Sequence, residues 1–232
     1  MTKRKIIATY AAEANTYDRT RAIFEKGRFA GRERKLYSQY LRRGSKILIV
    51  ACGTGRHFKY LCTEIGAEVV GLDVSVAMLR IARTKERSVA LIRGDAENLP
   101  FRDGAFDAIL CSRAFYLFDN KFSFLRSAYS AVKMRGKVLV STISKGTFIT
   151  RFGVKVKLLE ADPETYPYDA KDLRSMLTSV AFKCVHTRCI VLFTHHPLVS
   201  FLPKIVLYLI EGLEQLSSEG RWVLVVGQKP CI

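Results

Sequence analysis

Between Lys46 and His57 the chain reads Lys-Ile-Leu-Ile-Val-Ala-Cys-Gly-Thr-Gly-Arg-His, and this stretch constrains the fold more than any other. An unbroken apolar run, Ile47 to Ala51, stops at Cys52 and gives way to Gly53-Thr54-Gly55. A short run rich in β-branched residues and closed by glycines predicts a buried strand. Phe58, Leu61, Cys62 and Ile65 then recur at helical spacing. The unit is therefore strand, Gly turn, helix. In an open parallel sheet such a turn lies beyond the carboxyl end of its strand, where ligands bind. Glycine lets the backbone approach the ligand, and the start of the helix offers free N–H groups.

The same alternation continues downstream. Glu68 to Asp73 reads as a second strand ending on a carboxylate, and Val74-Ser75 leads into a helix carrying Val76, Met78, Leu79 and Ile81. Val89 to Ile92 predicts a third strand, followed by Arg93-Gly94-Asp95-Ala96. Phe106 to Ser112 is a fourth strand, Phe122 to Met134 a helix closed by Arg135-Gly136, and Lys137 to Ile143 a fifth strand. Strict alternation implies β-α-β crossovers and a parallel sheet. Asp172 to Val180 is then helical, Phe182 to Phe193 a sixth strand or strand pair, and Arg221 to Gly227 a last strand. Pro197 to Leu216 is an apolar helix with Pro203 inside it. Residues 1–45 read as a helical cover, 46–143 as the binding core and 144–232 as substrate-side and C-terminal elements, all within one domain.

Charge and cysteine usage bound the partners. The net charge of +17 over 232 residues suggests an anionic partner: nucleic acid, a membrane surface or an acidic substrate. A basic surface on an ordinary soluble enzyme is the alternative. About half of the excess lies early, with 13 Lys or Arg against 4 Asp or Glu through Lys46. None of the six cysteines forms a C-x-x-C pair, and most lie in apolar runs. That predicts reduced thiols in a cytoplasmic protein, with neither a disulfide frame nor a metal site. No long apolar stretch follows the first residues, so no signal peptide is expected. Residues 190–210 are apolar but interrupted by His195-His196, Pro197, Pro203 and Lys204. A spanning helix needs roughly 20 predominantly apolar residues. A buried strand followed by an amphipathic helix fits better, with an interfacial helix as the alternative.

The glycine loop excludes two common phosphate-binding patterns. G-x-G-x-x-G requires a third glycine where this chain has Phe58, and no G-K-[ST] follows. What gives the loop meaning is its company. Asp73 closes the next strand ~20 residues on, where a carboxylate takes ribose hydroxyls. Asp95 follows the third strand and can accept from a purine amine, with the Ala96 N–H beside it. Either aspartate could instead be a helix cap.

Taken together, Ile47 to Gly55, Gly71-Leu-Asp-Val-Ser75 with Met78-Leu79, Gly94-Asp-Ala-Glu-Asn-Leu-Pro-Phe101 and Phe106-Asp107 resemble the class I S-adenosylmethionine-dependent methyltransferases. The nearest likeness is to the ubiquinone/menaquinone-biosynthesis C-methyltransferase type. It is strong over 46–143 and weaker over the helix at Asp172 and the last strand. The resemblance implies an α/β fold, a three-layer α-β-α Rossmann-like sheet of seven strands. The sheet is mostly parallel, and the last strand is antiparallel and inserted beside the fifth. It implies that Gly53, Thr54 and Gly55 hold the methionine part of the cofactor, with Ala51, Val74 and Met78 alongside. Asp73 would bind the ribose, Asp95 and Ala96 would flank the adenine, Ser112 would lie near the transferring methyl, and Tyr17 would close over the cofactor. Three departures stand out: Ile49 where the family usually has an acidic residue, Ala51 where it often has glycine, and Met134-Arg135-Gly136 in place of Pro-Gly-Gly.

In that family the sulfonium of the cofactor makes its methyl electrophilic, so the protein's work is orientation. Arg113, Phe115, Tyr116 and Phe118 beyond the fourth strand, with Asp119, are candidates to face the acceptor. Tyr116, His195 and His196 are the candidate catalytic groups; adjacent histidines in a strand point to opposite faces, which argues against a shared metal. A lipophilic quinone precursor or lipid suits the apolar helix and a basic segment resting on anionic lipid. RNA suits the charge, although no zinc knuckle or RNA-binding module is visible. A non-enzymatic relative that only binds the cofactor is the third reading, motivated by Ile49.

Overall fold

The computed structural model describes residues 3–21, 28–143, 168–191 and 222–231, with 203, 205, 206 and 209. The strands follow the order expected from the alternation, with some ends shifted. The strands are β1 (Lys46–Val50), β2 (Glu68–Asp73), β3 (Ala90–Arg93), β4 (Phe106–Ser112), β5 (Val132–Ile143), β6 (Lys183–Val191) and β7 (Trp222–Gln228). They form one seven-stranded sheet in the order β3-β2-β1-β4-β5-β7-β6. The pairs from β3 through β5 are parallel, while β7 runs antiparallel to both β5 and β6. The expected insertion of the last strand beside the fifth is therefore present.

Side-chain alternation sorts each strand between two cores. Leu48, Val50, Val70, Leu72, Ile109, Cys111, Val138, Val140, Val223 and Val225 face one side. There they meet Phe124, Leu125 and Ala128 of α5 (Lys121–Ala131) and Leu173, Met176 and Leu177 of α6 (Ala170–Ser179). Ile47, Ile49, Val69, Ala108, Leu110, Leu139, Leu224 and Val226 face the other. That side is covered by Tyr37 of α2 (Arg28–Ser38), Tyr60 and Leu61 of α3 (Tyr60–Ile65), and Leu79 and Ala82 of α4 (Val76–Lys85). Burial on both faces is why the central strands read as continuous apolar runs. Helix α1 (Lys3–Thr20) buries only Ala14 and lies against α4.

Helix ends follow local chemistry. Ser75 caps α4 by accepting the Met78 N–H at 3.4 Å, and Asn120 caps α5 by accepting that of Ser123 at 2.9 Å. Asp169 and Asp172 form a reciprocal capping box on α6. Several expected boundaries need correction. The helix after the glycine loop winds as a π-helix over Tyr60–Ile65 and ends on Gly66 at φ 68°. And α5 stops at Ala131, not Met134, because Val132 turns extended (φ −83°, ψ 141°) and already pairs with Phe106. The third strand is displaced by one residue, to Ala90–Arg93. The apolar helix expected from Pro197, with His195 and His196 before it, lies outside the continuously described residues.

Candidate active site

Four neighbouring strands, β3, β2, β1 and β4, end on one side of the sheet and deliver their following loops to a single cleft. The cleft spans about 1060 Å³ when the space open to solvent is included. Gly94, Asp95, Ala96 and Glu97 line it from the end of β3, Asp73, Val74 and Ser75 from β2, Ala51 to Thr54 from β1, and Ser112 to Ala114 from β4. This is the crevice that the topology of a doubly wound sheet places beyond its strand ends.

Asp73 organises the centre. It is 7% exposed, and its two carboxylate oxygens accept the Gly53 and Ser75 N–H groups, each at 2.8 Å. One side chain thus pins the β1 loop to the β2 loop. Burial pushes its carboxyl above the usual range, opposed by those backbone donors. Asp95 accepts the Glu97 N–H at 3.0 Å and the Lys3 ammonium at 2.8 Å. Burial works to raise its carboxyl, but Lys3 and the Glu97 N–H outweigh it and hold it below the usual range.

The loop geometry needs its glycines. Gly53 and Gly55 sit at φ 55° and 75°, and Ala51 is held at φ 49°. Phe58, where a dinucleotide loop would carry glycine, is fully buried. Its ring fills the space over Gly55 and Gly71: a Cβ at Gly71 would lie 2.7 Å from Phe58 Cζ, and one at Gly55 2.6 Å from Cδ2. Gly55 therefore serves the turn and the packing of Phe58, and it is absent from the cleft lining.

Beneath the β1–β4 end of the cleft lies a buried polar cluster that sequence reasoning did not find. Glu33 of α2 is 0% exposed; it is ion-paired to Arg56, and its Oε1 lies 4.0 Å from Arg113 Nε. Tyr37 and Ser112 donate to the same oxygen at 2.9 and 3.1 Å. His57 Nε2 is 2.9 Å from Ser112 Oγ, and Tyr37 Oη is 3.1 Å from Ser141 Oγ. Ser141 also fixes the Arg113 backbone, which sits at φ 57°. Burial, aided by Arg56, lowers His57 to about 3, so the imidazole is neutral. Burial likewise raises Tyr37 well above the ordinary phenol.

Helix α1 roofs the cleft with Lys3, Ile6, Ile7, Tyr10 and Tyr17. Lys3 clasps Asp95 and Glu97 at one end, at 2.8 and 3.2 Å. At the other, Asp18 accepts from Thr54 Oγ1 at 2.6 Å and pairs with Lys85 at 2.7 Å. Of the expected cofactor residues, Tyr17, Ala51, Gly53, Thr54, Asp73, Val74, Met78, Asp95, Ala96 and Ser112 all line the cleft. Arg113 and Phe118 line it too; Phe115 is buried in the core, and Tyr116 and Asp119 are not part of the lining. Tyr116 instead hydrogen-bonds Tyr10, whose phenol burial pushes up to about 12. Among the described residues there is no group of ligands that could hold a metal ion.

Comparison with known proteins decides the family. A methyltransferase-domain model matches residues 48–140. A demethylmenaquinone methyltransferase of Corynebacterium kroppenstedtii is 31% identical over 185 residues, covering 74% of this chain and 79% of that protein. The chain belongs to the class I S-adenosylmethionine-dependent methyltransferases. A ubiquinone/menaquinone biosynthesis C-methyltransferase of Idiomarina loihiensis is 33% identical over 153 residues, 58% of this methyltransferase and 61% of that one. In three dimensions the enzyme shares its fold with a S-adenosylmethionine-dependent methyltransferase of Thermotoga maritima. The TM-score is 0.67 at 23% identity, covering 95% and 98% of the two chains. The cleft fits the cofactor: carboxylates stand at two adjacent strand ends, positive-φ glycine backbone at the third and a guanidinium at the fourth.

Proposed function

We propose that this methyltransferase transfers a methyl group to a small lipophilic acceptor, a quinone precursor or a lipid. The observation that supports this most is the apolar part of the cleft lining, to which Ile6 and Ile7 of the roof and Leu117 and Phe118 beyond β4 contribute. The names of the relatives, demethylmenaquinone and ubiquinone/menaquinone C-methyltransferases, point to the same acceptor class.

Asp73 takes the ribose hydroxyls, Asp95 and Ala96 flank the adenine, and Val74 and Met78 pack beside the nucleoside. Ala51, Gly53 and Thr54 hold the methionine part, Ser112 stands near the methyl, and Tyr17 closes the roof. When bound, the cofactor supplies a methyl group made electrophilic by its sulfonium. The chain's own residues then orient the acceptor in line with it and exclude water; near-attack placement of this kind is worth ~7–11 kcal/mol. The basic N-terminal segment supports peripheral contact with anionic lipid, where such acceptors reside, for a protein of the cytoplasm. Among the described residues no helix is long and apolar enough to cross a membrane.

The test is transfer from methyl-labelled cofactor to separate pools of prenylated hydroxyaromatics, lipids, RNA and small amines. Label in the organic-extractable aromatic or lipid pool is the expected result, and label in RNA would sink the reading. Asp73→Ala is expected to abolish cofactor binding in a calorimetric titration, and unchanged affinity would refute its ribose role.

A further inference from the structure

The buried cluster at the β1–β4 end of the cleft is built around an ion pair, Glu33 with Arg56. One carboxylate, Glu33, faces two guanidinium groups, Arg56 and Arg113. His57 adds no charge, since burial keeps it neutral. Tyr37 and Ser112 spend their hydrogen bonds on Glu33 and on each other. Among the described residues Arg56 Nη1 is buried with no hydrogen-bond partner, and the Arg56 side chain borders the cleft. Buried polar groups in folded proteins are nearly always paired, and an exception asks for an acceptor. A guanidinium fixed on one side by a carboxylate presents its other donors in a planar fork suited to a second carboxylate.

Sheet order locates the ligand group that would supply it. Asp95 and Asp73 follow β3 and β2, while Arg56 and Arg113 follow β1 and β4. With the nucleoside on the two aspartates, a reading on which this inference rests, the amino-acid end of the cofactor extends toward the arginines. On the same side, Ile49 is 2% exposed and lines the cleft, so the wall there is aliphatic. No acid is available at that position for the cofactor's ammonium.

We propose that Arg56, positioned by Glu33, binds the α-carboxylate of S-adenosylmethionine. Recognition of the amino-acid end then rests on its carboxylate. A charge-assisted pair of this kind corresponds to about tenfold or more in affinity.

The experiment is calorimetric binding to the full chain, with no turnover involved. Three thioether ligands are compared: S-adenosylhomocysteine, the analogue lacking only its carboxylate, and the analogue lacking only its amino group. The wild type is expected to lose about tenfold or more on removal of the carboxylate and less on removal of the amine. Arg56→Gln is expected to abolish the carboxylate preference while leaving affinity for the decarboxylated ligand unchanged. Arg56→Lys, which keeps the charge but not the fork, is expected to retain a reduced preference and stands in if the Gln variant fails to fold.

A wild type that ignores the carboxylate overturns the proposal. So does an Arg56→Gln variant that weakens both ligands equally, or an Arg56→Lys variant with an unaltered preference. 5′-Methylthioadenosine separates the two readings. If it binds and Asp73→Asn weakens it, the nucleoside assignment stands even where the carboxylate site fails; if it does not bind, the nucleoside assignment fails first.

Discussion

At the scale of single residues, two groups carry more than their surroundings suggest. His57 is buried and neutral, lowered to about 3 by burial and by Arg56. An unfolded histidine titrates near 6.5, so below that pH the unfolded chain takes up a proton the folded one refuses. Stability is therefore full above pH ~6.5 and falls as pH drops toward the folded value. The expected loss from His57 between pH 7 and pH 5 is about 2 kcal/mol. Denaturant melts at both pH values check it, and His57→Gln should flatten that part of the profile. Gly71 is the second. The Phe58 ring and Leu91 Cδ2 lie 2.7 and 2.9 Å from where its Cβ would be. Gly71→Ala is expected to cost about 1–3 kcal/mol through overpacking, and Phe58→Leu in the same chain should recover part of it, measured by thermal melting.

At the scale of elements, α1 is loosely joined to the rest. It buries Ala14 alone and is tied at its ends by Lys3 to Asp95 and Glu97 and by Asp18 to Thr54 and Lys85. Partly exposed ion pairs are worth about 0–1 kcal/mol each, so these clasps hold a roof without cementing it. The Lys3→Ala, Asp18→Ala double variant is expected to speed amide hydrogen exchange across residues 3–20 while leaving the global melting temperature nearly unchanged. A large drop in melting temperature, or unaltered exchange, would contradict a roof that opens independently. By contrast β1, β4, β5 and β7 are buried on both faces and should exchange last.

For the whole molecule, the +17 charge has a measurable consequence. Attraction to anionic surfaces is screened within about 8–10 Å at physiological salt. The chain is expected to co-sediment with vesicles containing anionic phospholipid at about 0.05 M salt and to release at about 0.5 M, with no binding to purely zwitterionic vesicles. Binding unaffected by salt, or by lipid charge, would remove electrostatics as the cause. The same charge carries no information about the fold, which is set by the apolar pattern.

What the sequence determined by itself was the alternation of strands and helices, the place of the cleft and part of its lining. Those features are local: β-branched runs ended by glycine or aspartate, with Gly53 and Asp73 at strand ends where any open sheet puts its ligand. Boundaries were less legible. Ala131 and Met134 both suit a helix, and only pairing of Val132 with Phe106 ends α5 where it does. The buried cluster was decided by tertiary structure alone. Glu33 looks like a solvated charge in a basic helical segment, and it meets Ser112 only because α2 packs against the sheet from 79 residues away in sequence. Its faint signals were Glu33 and Tyr37 one helical turn apart and Arg56 directly after the glycines, a spacing that many surface helices and loops share. Chain folding brings one carboxylate and two guanidiniums together where desolvation makes their charges matter, and no pattern along the chain encodes that meeting.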